Sequence, residues 1–303
     1  MMMIQKASLR RRKSIFRTSI PYLYVLPSII VMGCLLAYPM FYNLYVSLHR
    51  WQLARPDKPF IGFDNFKAVL TDEIFMKVMT TTVIWTVAGV LLQMLLGLFA
   101  SLYVDERRRS KGVLRSLLLL PWVLPGVVTA LMWSWMLQSD MGILNYILQS
   151  LHITDHPISW LGSTTHAMWT LVFVNTWKAF PFWFLMLLAG LQDIPNDQVE
   201  AARIDGARWL GIVRYVKIPH LTPIIGATGV ITTIWTLNYF DLIWVTTKGG
   251  PMDTTSTLPI YTYRLAFEFF DFGKSSAMAI VSLVLIGIIC SPYLRAMLKS
   301  IKE

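Results

Sequence analysis

An all-α membrane protein with six transmembrane helices is the fold class this sequence predicts, and three observations carry it. The 303 residues are 55% hydrophobic and only 15% charged, where a soluble domain carries roughly a quarter charged residues. Mean hydropathy is +0.54. Six apolar windows reach the ~20 residues a helix needs to cross the hydrocarbon core: 22–48, 79–103, 114–137, 168–191, 222–245 and 278–297. Lipid offers the backbone no water, so runs of this length satisfy their own hydrogen bonds as helices.

The net charge of +10 is distributed as a topology signal. With the N-terminus inside, segments 1–20, 104–115, 192–221 and 295–303 hold eighteen lysines and arginines. The opposite segments 49–77, 138–167 and 246–276 hold eight. The positive-inside rule therefore puts both termini in the cytoplasm. Short basic runs beside apolar segments argue against nucleic-acid binding.

The first window follows Arg10, Arg11, Arg12 and Lys13. It is longer than the about 7–15 residues of a signal-peptide core and lacks a small-residue cleavage site, so it reads as an uncleaved span. The loop 50–77 mixes charges with aromatics and predicts a short helix at 63–70. Pro121, Pro125 and Gly126 predict a kink in the third span. One integrated domain, 21–298, lies between a basic N-terminus, 1–20, and a short tail, 299–303.

The loop 196–223, between the fourth and fifth spans, is the most informative segment. Asp197 followed by Glu200 resembles a capping box. Ala201, Ala202, Ile204 and Ala207 present small and apolar surface, and Asp205-Gly206 is a natural helix break. A second helix is expected from 207 to 216, stopped by Pro219 and Pro223. Arg203, Arg208, Arg214 and Lys217 would keep this helix–turn–helix out of the bilayer. From the residues alone it is either a docking element or an amphipathic connector resting on lipid headgroups.

Other chemistry has little footing. Cys34 and Cys290 lie in apolar runs, with spacing for neither a disulfide framework nor zinc. The histidines, His152 and His156 included, form no ligand set, so no metal site and no catalytic constellation is expected. Gly273-Lys274-Ser275 imitates the end of a phosphate-binding loop, but Glu268 stands where that motif needs glycine.

Glu200-Ala201-Ala202, Asp205-Gly206-Ala207, Ile218-Pro219 and Pro223 resemble the EAA loop of permeases in bacterial ATP-binding-cassette (ABC) importers. Further matches in order are Pro21-Tyr22-Leu23, the 60–66 segment, Gly190 to Pro195, and Phe240-Asp241 through Pro251. Together they are similar to the maltose and glycerol-3-phosphate class. The resemblance implies a type I-like permease fold in the bacterial cytoplasmic (inner) membrane. It implies coupling helices seated in a dimeric ABC ATPase, with Glu200 making the polar contact, Ala201 and Ala202 seating the helix and Gly206 turning the chain; Asp205, Ala207 and Pro219 belong to the same motif. It also implies a second homologous permease, an extracytoplasmic solute-binding protein and a carbohydrate substrate. ATP and Mg would be used by the partner ATPase, with no cofactor on this chain and no enzyme activity of its own. This chain departs from the best-known maltose subunit in lacking its extra spans and large external domain.

Polar residues within spans are costly and therefore candidates for function or for helix–helix contacts. Trp235, Asn238, Tyr239 and Leu242 share a helical face, with Asp241 beside them. Aromatic and hydrogen-bonding groups together suit a sugar; an interhelical network is the other reading. Lys178, near the middle of the fourth span beside Asn175 and Trp177, is expected to pair with Asp241 or a backbone carbonyl, or to touch substrate. Trp133 is a further candidate, and Gln93 a weaker one. The rival classes are a permease for a non-sugar solute and an ion-coupled secondary transporter.

Overall fold

The computed structural model describes residues 22, 24–107 and 111–300, with residues 111 and 292–300 described as backbone only. The basic N-terminus 1–20 and residues 301–303 of the tail lie outside the described residues. Among those described, five helices are long and apolar enough to cross a membrane, and a sixth crossing is a bent pair. Helix α1 is Tyr24–Ser47 and α3 is Glu73–Asp105, joined through the short α2 at Asp64–Leu70. The bent pair comprises α4, Lys111–Val123, and α5, Gly126–Met136. After α6 (Ile143–Ser150) comes α7, Ala167–Gln192. The hairpin helix α8 is Asn196–Ile204. Next comes α9, built from Trp209–Ile212, a π turn at Val213–Lys217 and Ile218–Leu237. It is followed by α10 (Asp241–Thr246), α11 (Leu258–Phe267) and α12 (Phe272–Ser300).

The apolar and polar residues are sorted as lipid requires. Val83, Val87, Leu91, Leu92, Leu95 and Leu96 of α3 are exposed, whereas Gln93, Asn175, Thr228 and Thr232 are buried among helices. α3 and α7 form the central pair. At Gly97 a Cβ would fall 2.5 Å from the Trp183 Cβ, so only glycine allows this crossing. α1 stands apart: it carries no buried residue before Val46, and its apolar surface is left to lipid or to another subunit. Its last turn is fixed by Asn65, whose amide donates to the Ser47 and His49 carbonyls at 2.8 Å each.

Three expectations need correction. The third span is not one kinked helix: its halves meet at 92° across Leu124-Pro125. Pro121 is accommodated within α4, and the break falls where Pro125 takes an extended conformation (φ −58°, ψ 145°). Pro219 and Pro223 do not stop the helix that leaves the hairpin. Pro219 sits near the start of the α-helical stretch, and the π turn before it closes with Ile218 N–H donating to the Val213 carbonyl. An i→i+5 turn absorbs the donor that proline lacks, so the chain runs on. The capping box is absent as well: α8 is capped by Pro195 without a side-chain bond, and Asp197 contributes only negative charge in the first turn.

At the end opposite the Glu200 hairpin, α11 is tied to α3. Tyr261 donates to Asp72 Oδ2 at 3.0 Å, and Leu258 N–H donates to the Thr82 hydroxyl. Burial first, then the bond to Asp72, push the Tyr261 phenol above its ordinary value. Gly273-Lys274-Ser275 is the first turn of α12, where Asp271 accepts from Lys274 N–H at 3.1 Å as a helix-start contact.

Candidate functional site

Two features stand out, a cavity among α3, α7 and α9 whose mainly apolar walls carry a few polar side chains, and the exposed hairpin. The cavity holds about 400 Å³, and Lys178, Trp235, Asn238 and Tyr239 line it together with Gln93 and Asn175. Both amides lie against Gly89 of α3, where a Cβ would make ordinary contacts at 3.5 Å from Asn175 Nδ2 and 3.7 Å from Gln93 Nε2. Gln93 is 1% exposed, and neither polar atom of its side chain has a hydrogen-bond partner among the described residues. Asn175 Nδ2 and the Tyr239 hydroxyl are likewise buried and unpartnered. A buried polar group left unpaired costs about 1–3 kcal/mol, so such a cluster beside open volume is built to meet a polar solute or water. Trp235 is half exposed, lines the cavity and packs on Phe182, with ring centroids 4.8 Å apart.

Lys178 donates to the Leu124 carbonyl. That oxygen belongs to the break between α4 and α5, where the helical ladder stops, so an ammonium from α7 satisfies an acceptor freed by the bend. The same break abuts α10. A Cβ on Gly126 would sit 3.0 Å from Asp241 Oδ2 and 3.2 Å from the Tyr239 hydroxyl. Asp241 itself is exposed in the first turn of α10 and stands beside the cavity rather than in its wall. The shared helical face expected for Trp235 and Leu242 does not exist, because the chain bends at Asn238–Phe240. Leu242 is fully buried in the core, and Asn238 turns its amide to the Ile234 carbonyl at 2.9 Å. Trp133 is a core residue: it is 7% exposed and edge-packed on Trp177 at 5.5 Å.

Two cavity residues carried little weight in the sequence. Gln93 is a lone amide in a long apolar run, and Asn175 reads as a neighbour of Lys178. Their signal is convergence from two helices, which one sequence does not display.

The hairpin presents Glu200, Ala201, Asp205, Gly206 and Pro219 to solvent, with Ala202 and Ala207 half buried. Gly206 has φ +82°, the left-handed turn that ends α8. Ile204 and Leu210 are 86% and 72% exposed, an unusual display of apolar side chains on a polar loop. Lys217 departs from expectation. It does not hold the loop in water but is buried, paired with Asp105 at 2.9 Å. Among the described residues no cluster of histidine, cysteine or acidic side chains could hold a metal ion.

A bundle of apolar helices with an internal cavity and a protruding hairpin is the architecture of a membrane-embedded protein. The match to known proteins is more specific. The chain belongs to the family of binding-protein-dependent transport system inner membrane components, whose model matches residues 93–300. It is 34% identical to a probable ABC transporter permease protein of Sinorhizobium fredii, over 94% of this chain and 92% of that protein. It is 36% identical to the trehalose/maltose transport system permease protein MalF of Thermococcus litoralis, over 88% and 89% of the two chains. Among solved structures it resembles a bacterial ABC transporter involved in the import of the acidic polysaccharide alginate. The TM-score is 0.79 at 22% identity, over 94% of this chain and 99% of that one, a likeness of fold.

Proposed function

We propose that this chain is the translocating subunit of an ABC importer for a sugar or a related polyol or glycoside, working by alternating access. The observation that carries the reading is the cavity, whose lining brings together Gln93 and Asn175, with buried amide atoms that lack a protein partner, and the indole of Trp235. Sugar hydroxyls exchange hydrogen bonds with amides, and the apolar face of a sugar ring stacks on an aromatic side chain. The likeness to a trehalose/maltose permease and to a sulfoquinovosyl glycerol permease of Agrobacterium fabrum, 32% identical over 90% of this chain, supports the same substrate class.

In this reading both termini face the cytoplasm, following the basic-residue asymmetry. The Glu200 hairpin then projects toward a dimeric ABC ATPase that binds and hydrolyses MgATP, and this chain binds no cofactor. Ile204 and Leu210 supply apolar anchors around Glu200, Ala201 and Ala202. A second, homologous permease completes the translocation path, and an extracytoplasmic binding protein delivers the solute to the opposite face. The membrane is the cytoplasmic one. ATP binding closes the ATPase pair, the hairpin moves with it, and the cavity exchanges access from one side to the other. Lys178 holds the α4–α5 break through one of its three N–H donors and has the others for a solute in the cavity it lines.

The test is uptake by the assembled transporter in proteoliposomes, with the ligand of its binding protein identified by a thermal-shift screen of sugars, amino acids and oligopeptides. A sugar hit, with KM raised about tenfold by Trp235→Ala or Gln93→Leu (~1.4 kcal/mol of lost contact), supports the reading. A non-sugar hit overturns the substrate class.

A further inference from the structure

Two polar contacts join the hairpin to the end of α3. The Trp209 indole N–H donates to the Glu106 carboxylate, and Lys217 pairs with Asp105 at 2.9 Å. Asp105 and Glu106 are consecutive, at the last residue and the cap of α3. Trp209 and Lys217 are eight residues apart on α9. In a regular α-helix, at ~100° per residue, eight steps would turn Lys217 about 80° away from Trp209. The π turn Val213–Lys217 lies between them. A π turn acts as a one-residue insertion, so the pair is separated by about seven helical steps and points within roughly 20° of one direction. The irregular turn thus brings both donors onto one pair of carboxylates. Lys217 and Asp105 side chains are 9% and 18% exposed, so the ion pair is largely shielded from water and salt. Beneath it an apolar seam continues the contact: Leu102 of α3, Leu191 and Ile194 beyond it, and Val213 and Leu221 of α9 pack in one cluster.

We propose that Asp105 and Glu106, with Lys217 and Trp209, form a latch that makes the hairpin and α3 one moving body. In this scheme the hairpin's displacement passes directly to the wall of the cavity that carries Gln93, rather than only along α9. Gln93 lies twelve residues before Asp105 on the same uninterrupted helix, about 18 Å at 1.5 Å per residue. The inference rests on the hairpin being the ATPase contact. These four are positioning residues and touch no solute.

The experiment uses the transporter assembled with its ATPase and partner permease, with Cys34 and Cys290 replaced by serine. Spin labels go at Tyr103 on α3 and Tyr215 on α9, both exposed, and the distance between them is measured without nucleotide and with ATP plus vanadate. The latch predicts one narrow distance that is the same in both states. Lys217→Met is expected to broaden or shift it in the vanadate state, and the exchanged pair Asp105→Lys with Lys217→Asp to restore the single distance. A distance that changes between states in the unaltered latch, or one unaffected by Lys217→Met, overturns the proposal. Co-purification of the ATPase reports the underlying reading separately. Its retention in the Glu200→Ala and Gly206→Pro variants would remove the hairpin as the ATPase contact, whatever the label distances.

Discussion

Gln93 shows how much of the site depends on a few unpaired atoms. Both of its polar atoms are buried without a protein partner, so Gln93→Leu removes an unfavourable buried amide as well as a solute contact. We expect the variant to be as stable as the parent or more so, by up to ~1–3 kcal/mol, while uptake weakens. A thermal melt in detergent alongside a KM measurement separates the two effects; a destabilised variant would show that Gln93 is structural. Lys178→Met should behave in the opposite way. It leaves the Leu124 carbonyl without its donor, and a loss of ~1–3 kcal/mol is expected in the same melt. From the sequence, Lys178 could be read as a residue needing a partner inside the membrane, because an intramembrane ammonium is always costly. The identity of the partner was not legible. Leu124 becomes an available acceptor only through a bend whose angle no residue pattern encodes. Lys217 looked like one more solvated charge on a basic loop, since its burial depends on Asp105 more than a hundred residues away.

At the scale of elements, four of the hydropathy windows each fall on one helix, because lipid forces every backbone group to be paired within its own segment; the third is the bent pair α4–α5 and the fifth runs past the break between α9 and α10. The irregularities were harder to read. Prolines at 121, 219 and 223 lie inside continuous helical stretches, whereas Pro125 marks the 92° break between α4 and α5. Proline announces a missing donor, but neighbouring helices decide whether the chain bends, shifts to a π turn or breaks. The α3–α7 crossing gives the clearest mutational test. Gly97→Ala places a methyl group 2.5 Å from the Trp183 Cβ and 2.9 Å from the Phe184 nitrogen. Such overpacking costs ~1–3 kcal/mol, so the melting temperature should fall. Gly226→Ala, in the interior of α9 with nothing within 4 Å, serves as the control and should leave it unchanged or slightly raised.

For the whole molecule, the outer face of α1 and the apolar tips of the hairpin, Ile204 and Leu210, remain uncovered by this chain. A bundle with these surfaces is one component of a larger machine, and the account's central claim is that the hairpin receives the work of a separate ATPase. Ile204 was legible as part of the small and apolar surface of the EAA-like loop; Leu210 was not, since an isolated leucine carries no motif. The most direct measurement is ATPase co-purification with the affinity-tagged chain, together with its partner permease, from membranes. The account predicts that the ATPase elutes with the parent, is lost with Gly206→Pro, whose φ of +82° proline cannot adopt, and is retained with Trp235→Ala. Equal recovery from the Gly206→Pro variant, or solute uptake driven by an ion gradient with no ATPase present, would contradict it.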